Sequence, residues 1–302
     1  MQQKTLFPPI TRFDTLINPI AVKKELDTQY WSIRNISQSV DLSAWRSFLR
    51  DLPPDPYVES RFKRMSWLHI LRDGSVQDMG ECAMAQGGNY NDACTMANKN
   101  RYYQPLESAF IEREDVQSFV ADWAKLWGIG VGEPILMQIT GVRGNGQIDP
   151  LQGQGIHADG CTALSIVLLS RENVYGATNY LYNDKEGTQP IATVVLNAGD
   201  ILHLCDDKLF HNVDRITEQF PDVPFERFVI IINSRFVDNF QNDELRKCFP
   251  SAVLYGDKCR NLDLNTTLYK YYESTNYDYK STTHRANVAA EHSTAHQWQK
   301  IA

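Results

Sequence analysis

The 302-residue sequence has no long apolar run and no concentration of positive charge. A membrane-spanning helix needs about 18 consecutive apolar residues, whereas the longest run of β-branched apolar residues, Val229–Ile232, has four. The 30 basic and 37 acidic residues give a net charge of −7, and no polybasic tract supplies the electrostatic footprint of nucleic-acid binding. We therefore expect neither a membrane protein nor a nucleic-acid-binding protein.

Cysteine is also scarce, and its six occurrences are scattered without any CxxC pair. This spacing excludes a zinc ribbon, and the number is too small for a disulfide scaffold at this length. The first thirteen residues, MQQKTLFPPITRF, lack the apolar core and cleavage site of a secretory signal. We expect free thiols in a reducing compartment, and so a soluble protein located in the cytoplasm.

The second half of the chain has the pattern of a β protein. Its short apolar runs are separated by Gly, Pro, Asn and Asp, which predicts a sandwich or barrel. These runs are Ile135–Val142, Thr162–Ser170, Tyr180–Tyr182, Ala192–Leu196, Asp200–Leu204 and Phe225–Phe236.

The first half reads mainly as helix and loop. Ser43 is placed to cap a helix at 44–52, and apolar residues at three- and four-residue steps predict a helix at 112–127 that ends at Gly128. Residues 61–71 have the apolar and aromatic density of a strand. We expect one domain over residues 1–262, with a β core at about 133–237 and helical decoration at 1–130.

Residues 263–302 are expected to form a separate C-terminal appendage. This segment is polar and rich in tyrosine from Tyr269 onward. The tyrosines favour packing contacts, including those of a homodimer, over a cofactor cage.

A candidate metal site begins with His157 and Asp159, directly before an apolar run. On an extended segment residues i and i+2 face the same way, so this imidazole and carboxylate can reach one metal ion. His211 could supply a third ligand, and His203, on a neighbouring predicted strand, is the alternative. Two histidines and one carboxylate on one face are the ligand set of non-heme Fe(II) oxygenases.

A candidate anion-binding residue lies in the last long apolar run. Arg227 alternates there with apolar residues on both faces of the predicted strand. A buried guanidinium needs an anionic partner, and a dicarboxylic co-substrate could chelate the metal at one end and bind Arg227 at the other. Arg215 is the rival, although its position in a predicted turn favours solvent exposure.

The sequence resembles the iron- and 2-oxoglutarate-dependent dioxygenases, and within them the hydroxylases of free amino acids, exemplified by bacterial isoleucine dioxygenase. The HxDG motif with the downstream RENVYG sequence is the most specific part of the similarity. The segments that carry it are Asp55-Pro56-Tyr57 with Arg61-Phe62-Lys63-Arg64, the run Arg101–Leu106, His157–Gly160 with Arg171–Gly176, and His211-Asn212-Val213 with Arg227.

The resemblance implies a double-stranded β-helix core of the jelly-roll or cupin type with flanking N-terminal helices. It further implies that His157, Asp159 and His211 bind Fe(II) and act in catalysis, and that Arg227 binds 2-oxoglutarate. Dioxygen would be the second co-substrate, and a free amino acid would be hydroxylated at an unactivated carbon. Desaturation or cyclisation by the same centre, and a catalytically silent cupin-like binding module, are the alternatives.

Candidates for substrate binding come from two places. Arg143 follows a predicted strand shortly before the HxD motif and could bind a substrate carboxylate. Gln86, Tyr90 and Asn91 lie at or within the Gly- and Asn-rich loop 87–100, and long ordered loops often line sites. Each of these four residues could instead have a structural or surface role.

Overall fold

The computed structural model describes residue 16 and residues 18–91 and 96–255. The chain divides into two compact units, residues 1–256 and 257–302. The second unit, which includes the whole of the expected appendage at 263–302, lies outside the described residues. Among the described helices, none has the length and apolar character needed to cross a membrane.

The described residues form a mainly β structure with antiparallel pairing, as the sequence predicts. The helices are α1 (Pro19–Gln29), α2 (Leu42–Ser47), α3 (Ser108–Ile111), α4 (Glu114–Trp127) and α5 (Asn239–Cys248). The strands are β1 (Trp31–Asn35), β2 (Arg61–Ile70), β3 (Val76–Gly80), β4 (Met84–Gln86), β5 (Lys99–Arg101), β6 (Ile135–Gly144), β7 (Cys161–Glu172), β8 (Val174–Gly176), β9 (Asn179–Tyr182), β10 (Ala192–Val194), β11 (Asp200–Leu204), β12 (Phe210–Val213), β13 (Ile216–Glu218) and β14 (Phe225–Phe236).

Seven strands form the major sheet, in the order β1-β11-β7-β14-β6-β2-β3. A smaller sheet has the order β10-β9-β12, and two strand pairs, β13-β8 and β4-β5, complete the β structure of the described residues. The long strands β7 and β14 pair across a register shift between Phe228 and Val229. The strands that carry the candidate site therefore lie at the centre of the major sheet and in the smaller sheet.

The two faces of the major sheet belong to different cores because side chains alternate along each strand. On β14, Phe228, Ile230 and Ile232 pack with residues of the helices, among them Trp45 of α2 and Trp123 of α4. The alternate residues of β14 face the other way, towards the smaller sheet. The site is thus built on the face opposite to the one that α2 and α4 cover.

The N-terminal part of the chain contains more strand than its local pattern predicts. Strand β2 matches the strand-like pattern of residues 61–71, whereas β1 and β3 lie within the expected helical decoration without such a pattern; all three join the major sheet. Strand β1 is short and polar, with the sequence WSIRN, and is held by pairing with β11, about 165 residues away in the chain. Such distant pairing leaves little local signal.

The predicted helices differ in their agreement with the structure. Helix α4 ends at the left-handed Gly128, as predicted. The helix predicted at 44–52 instead spans Leu42–Ser47, and its N-cap is Asp41 rather than Ser43, because the Asp41 carboxylate accepts a hydrogen bond from the Ala44 amide.

Candidate active site

Three side chains from two distant parts of the chain converge as the sequence predicts. The possible ligand atoms of His157, Asp159 and His211 lie within 4.8 Å of one another. His157 Nε2 is 3.7 Å from one Asp159 carboxylate oxygen, and His211 Nε2 is 4.0 Å from the other. Two imidazoles and a carboxylate are thereby directed at one point.

The backbone fixes the two histidines relative to each other. The amide of His157 donates to the His211 carbonyl at 3.0 Å, and the amide of His211 donates to the His157 carbonyl at 2.8 Å. The Gly155 carbonyl lies 2.9 Å from His157 Nδ1, which leaves Nε2 facing Asp159. A hydrogen bond to one ring nitrogen fixes the tautomer of a metal-binding imidazole.

Gly160 is required where the HxDG motif enters β7. Its φ is +81°, and a Cβ atom there would lie 2.9 Å from the Tyr90 ring. Glycine therefore allows the ligand-bearing loop to pass close to the loop that contains Tyr90.

Asp206, which the sequence did not point to, contacts both the segment that carries His157 and Asp159 and the side chain of His211. Its Oδ2 atom accepts backbone hydrogen bonds from Asp159 at 2.8 Å, Gly160 at 3.0 Å and Cys161 at 3.3 Å. Its Oδ1 atom lies 3.2 Å from His211 Nε2. Asp206 follows β11 in a turn, and an aspartate in a turn is too common to be a useful sequence signal.

The electrostatic environment differs between the two histidines. Burial, and then the charge of His211, lower the pKa of His157 to about 4, so His157 is neutral near pH 7. Burial also acts to lower the pKa of His211, but the contact with Asp206 and the charge of Asp159 outweigh it and raise that pKa. A neutral imidazole has the lone pair that metal coordination requires.

The donor set fits a divalent iron ion. Two imidazole nitrogens and one carboxylate on one side of a cavity form the facial arrangement that leaves coordination positions open. The buried Nε2 atom of His211 has no hydrogen-bond partner of suitable geometry among the described residues, which suits a metal ligand.

His203 does not take part in this cluster. It is fully buried on β11, and its Nδ1 atom lies 2.8 Å from the Ser165 hydroxyl, which also accepts a hydrogen bond from Trp123 of α4. The side chain therefore belongs to the helix-covered face of the major sheet.

Arg227 is a buried cation that lines the same cavity as the triad. Its Nε atom has no hydrogen-bond partner in the described parts of the chain. Burial, and then the charge of Arg171 on β7, lower its pKa to about 10, against the opposing effect of Asp214. Its rival Arg215 is exposed and donates to Gln147.

The four predicted substrate-binding residues are placed differently. Gln86 and Asn91 line the cavity, and Gln86 Nε2 lies 3.4 Å from Asp159 Oδ1. Tyr90 packs against Gly160 and is not a lining residue. Arg143 does not reach the cavity, because its guanidinium lies between the Phe62 and Phe228 rings and donates to the Leu49 carbonyl. Its placement therefore contradicts the expected role in substrate binding.

The cavity is also lined by three basic residues that are not among the substrate-binding residues expected from the sequence: Arg61, Lys63 and Arg101. Arg61 and Lys63 are two residues apart on β2, so both face the cavity. Basic residues at this alternating spacing in a strand that also carries several apolar and aromatic residues were the available signal.

An antiparallel β fold with this ligand set and a buried arginine in one cavity has the features of a non-heme iron oxygenase. Residues 46–232, more than half of the chain, match the model of the 2OG-Fe dioxygenase family. The chain belongs to the 2OG-Fe dioxygenase family. Members of this family use Fe(II), 2-oxoglutarate and dioxygen, and the protein is therefore a dioxygenase.

Solved structures show the same fold. A bsmA homolog from Methylobium petroleophilum PM1 has a TM-score of 0.60 and 17% identity, over 73% of this chain and 94% of that chain. The Fe(II)/(alpha)ketoglutarate-dependent dioxygenase TqaL has a TM-score of 0.55 and 14% identity, over 76% and 90%. IDO from Bacillus thuringiensis has a TM-score of 0.52 and 11% identity, over 73% and 99%.

At these identities the similarity shows the fold alone, and the expected double-stranded β-helix is confirmed. No curated protein matches this chain.

Proposed function

We propose that this dioxygenase hydroxylates an unactivated carbon of a free L-amino acid or a close derivative. The observation that supports this is that the triad and Arg227 line one cavity of about 420 Å³. Small-molecule sites commonly have volumes of roughly 300–1,000 Å³. Because 2-oxoglutarate must share this space, the remaining volume suits an amino acid better than a protein segment.

In this proposal His157, Asp159 and His211 hold the iron, and Arg227 binds the distal carboxylate of 2-oxoglutarate through two hydrogen bonds. The iron, with 2-oxoglutarate and dioxygen, supplies the oxidising power when bound. The chain orients the target C–H bond and excludes water, for which the apolar lining residues Val142, Val229 and Ile231 are suited. No side-chain base or nucleophile is needed at the target carbon.

The test is a panel of the twenty common amino acids incubated with the protein, Fe(II), 2-oxoglutarate and oxygen. We expect one or a few of them to drive succinate release and to gain about 16 daltons, the mass of one oxygen atom, because the family couples 2-oxoglutarate turnover to substrate oxidation. The control is His157→Ala, which removes a proposed ligand and should abolish both signals.

Other outcomes of this test support the alternatives. A loss of two hydrogens from the substrate would indicate desaturation or ring closure. If anaerobic Fe(II) and 2-oxoglutarate give no visible charge-transfer band, the chain would be a binding module rather than an enzyme. Succinate release by peptides but by no free amino acid would also contradict the proposal.

The cytoplasmic location and the homodimer stay predictions. The location is supported by four cysteines that are free, namely Cys82, Cys161, Cys205 and Cys248. Sedimentation or light scattering of the purified chain would test the homodimer.

A further inference from the structure

Three basic side chains form a cluster in the cavity, which we call the basic cluster: Arg61, Lys63 and Arg101. Arg61 and Lys63 share one face of β2, and Arg101 ends β5. Lys63 and Arg101 are buried, with 4% and 3% of their surface exposed. A cation that is almost fully buried is normally paired with a carboxylate.

The carboxylates of the described residues do not neutralise all three positive charges of the basic cluster. Asp55 forms an ion pair with Arg61 at 2.7 Å and so compensates one of the three charges. Within residues 18–91 and 96–255, Lys63 Nζ has as its polar and ring contacts the Met84 sulfur at 3.4 Å and the Tyr103 ring at 4.1 Å. Two cations therefore remain without an ion-pair partner in the described part of the chain.

Several donors of the cluster are also unused. Arg101 donates to the Gln86 side-chain oxygen at 2.6 Å, but its Nε atom has no partner among the described residues. The same holds for Arg61 Nη2 and for the hydroxyl of Tyr103. Buried donors without acceptors cost free energy unless a ligand supplies the acceptors.

The electrostatics agree with this geometry. Burial, and then the charges of Arg61 and Arg101, lower the pKa of Lys63 well below its ordinary value. Asp55 and Asp159 act in the opposite direction but do not offset these effects. The region is therefore strongly favourable for an anion.

The cluster is separate from the residue proposed to bind 2-oxoglutarate. In the major sheet Arg227 of β14 pairs with Val142 of β6, which pairs with Arg61 of β2. Two strand spacings of about 4.8 Å put Arg61 roughly 10 Å from Arg227 along the sheet. One dicarboxylate that binds Arg227 and the metal would leave the basic cluster for a second anion.

The cluster is also connected to the triad. Gln86 accepts from Arg101 through Oε1, while its Nε2 atom lies 3.4 Å from the carboxylate of Asp159. A ligand bound by Arg101 would therefore lie close to the metal ligands, where a substrate must be.

We propose that Lys63 and Arg101, assisted by Arg61, bind a free carboxylate of the substrate, and that Gln86 positions Arg101 relative to the metal site. This inference rests on the proposed function and extends it, because it makes a free acid group a requirement for binding. Carboxamides, esters and internal residues of a peptide lack that group and are excluded as substrates.

The test uses protein saturated anaerobically with Fe(II) and 2-oxoglutarate, so that the Arg227 end of the cavity is filled. Three sets of probes are titrated: free L-amino acids, the carboxylic acids of the same skeleton without the amino group, and the amino acid carboxamides. Binding is measured from the Fe(II)–2-oxoglutarate absorption band and from the midpoint of thermal unfolding. We expect members of both acid sets to bind at least about tenfold more tightly than the matching carboxamides, since the amide forms no charged hydrogen bonds.

The variants are Lys63→Met and Arg101→Gln, with Arg64→Gln as the matched control. Arg64 is next to Lys63 on β2 but is not a lining residue, and it donates to the Pro105 carbonyl. We expect both cluster variants to bind the acids at least about tenfold more weakly. Their titration by 2-oxoglutarate should be unchanged. Arg64→Gln should bind the acids and 2-oxoglutarate as the wild type does. Lys63→Met removes an unpaired buried charge and should unfold at or above the wild-type midpoint.

The outcomes separate this inference from the proposed function. Equal binding of acids and carboxamides, or wild-type binding by both cluster variants, would overturn the inference even if an amino acid is hydroxylated. If the cluster variants lose more affinity for 2-oxoglutarate than for the acids, the inference is also overturned, since the cluster would then bind the co-substrate. Binding of the acids without turnover of any amino acid would sustain the inference and contradict the proposed function.

Discussion

At the scale of single residues, Arg227 is a buried cation that lines the triad's cavity and forms no ion pair with a carboxylate of the described residues. We expect Arg227→Gln to raise the 2-oxoglutarate requirement by about 30-fold or more, since loss of one partner of a buried charge pair costs roughly 2 kcal/mol or more. The measurements are the apparent KM for 2-oxoglutarate and an anaerobic titration of the absorption band.

Arg215→Gln is the control, because Arg215 is exposed and nearby in the chain. It should leave the 2-oxoglutarate requirement unchanged. If the apparent KM for 2-oxoglutarate is unchanged in Arg227→Gln, a residue other than Arg227 binds the co-substrate.

His203 makes stability depend on pH. Burial, and then the charge of Arg34, lower its pKa to about 3, so it stays neutral in the folded protein. Below the ordinary pKa near 6.5 the unfolded chain binds a proton that the folded chain excludes. This contribution to the free energy of unfolding is therefore complete above pH 6.5 and falls by about 1.4 kcal/mol per pH unit as the pH decreases towards 3.

We expect His203→Gln to remove this one-proton dependence while iron binding is kept. Chemical denaturation between pH 7 and pH 5 would show a shallower loss of stability in the variant than in the wild type. If the free energy of unfolding falls equally with decreasing pH in the wild type and in His203→Gln, His203 is not the group responsible. Loss of iron binding in the variant would show that His203 is a metal ligand.

The sequence identified the residues that belong to a motif and missed those defined by tertiary contacts. His157, Asp159 and His211 have a recognisable spacing, and the structure brings them together. Asp206 depends on a turn that reaches three amides of another segment, and Arg143 is drawn away by two aromatic rings. Neither contact leaves a trace in the local pattern.

At the scale of elements, the pairing of β6 with β14 depends on the absence of a side chain at Gly141. A Cβ atom there would lie 2.2 Å from the Arg227 carbonyl oxygen and 2.4 Å from the Phe228 ring. We expect Gly141→Ala to lower the free energy of unfolding by about 2 kcal/mol or more, since overpacking forces backbone shifts. Because Arg227 must move, 2-oxoglutarate binding should weaken in the same variant.

Gly88→Ala is the matched control. Gly88 is exposed, and the nearest atom to an added Cβ, Asn98 Nδ2, is 3.6 Å away. Chemical denaturation and the anaerobic titration compare the two variants. If Gly141→Ala and Gly88→Ala have equal free energies of unfolding, β6 and β14 can accommodate the added methyl group without a loss of stability.

Strong local periodicity explains which elements were predictable. Helix α4 and strands β7, β11 and β14 have dense apolar patterns, and the structure places them close to the predicted ranges. Strands β1 and β3 are short and contain several polar residues; β1 is placed in the major sheet by pairing with the distant β11, and β3 by pairing with the preceding strand β2. Tertiary pairing overrides local propensity at such positions.

At the scale of the whole molecule, a bound metal would link the loop before β7 to β12 of the smaller sheet. A ligand that binds only the folded state stabilises it by about 2.7 kcal/mol at a hundred times its Kd. We expect Fe(II) under anaerobic conditions to raise the midpoint of thermal unfolding of the wild type. Asp159→Ala should fold and lose this shift.

His203→Gln is the control and should keep the shift. Retention of the full shift in Asp159→Ala would remove Asp159 from the ligand set. A fall in the midpoint of the metal-free Asp159→Ala protein would indicate a structural role instead.

The basic cluster comes from β2 and β5, whereas the triad and Arg227 come from the loop before β7, β12 and β14. Strand β2 is next to β3, an edge strand of the major sheet, and β5 pairs with β4 alone among the described strands. Substitutions in β2 and β5 can therefore change which substrate is bound, while the triad and Arg227 stay the same. Directed evolution towards new acids should accordingly accumulate its changes in β2 and the β4–β5 hairpin.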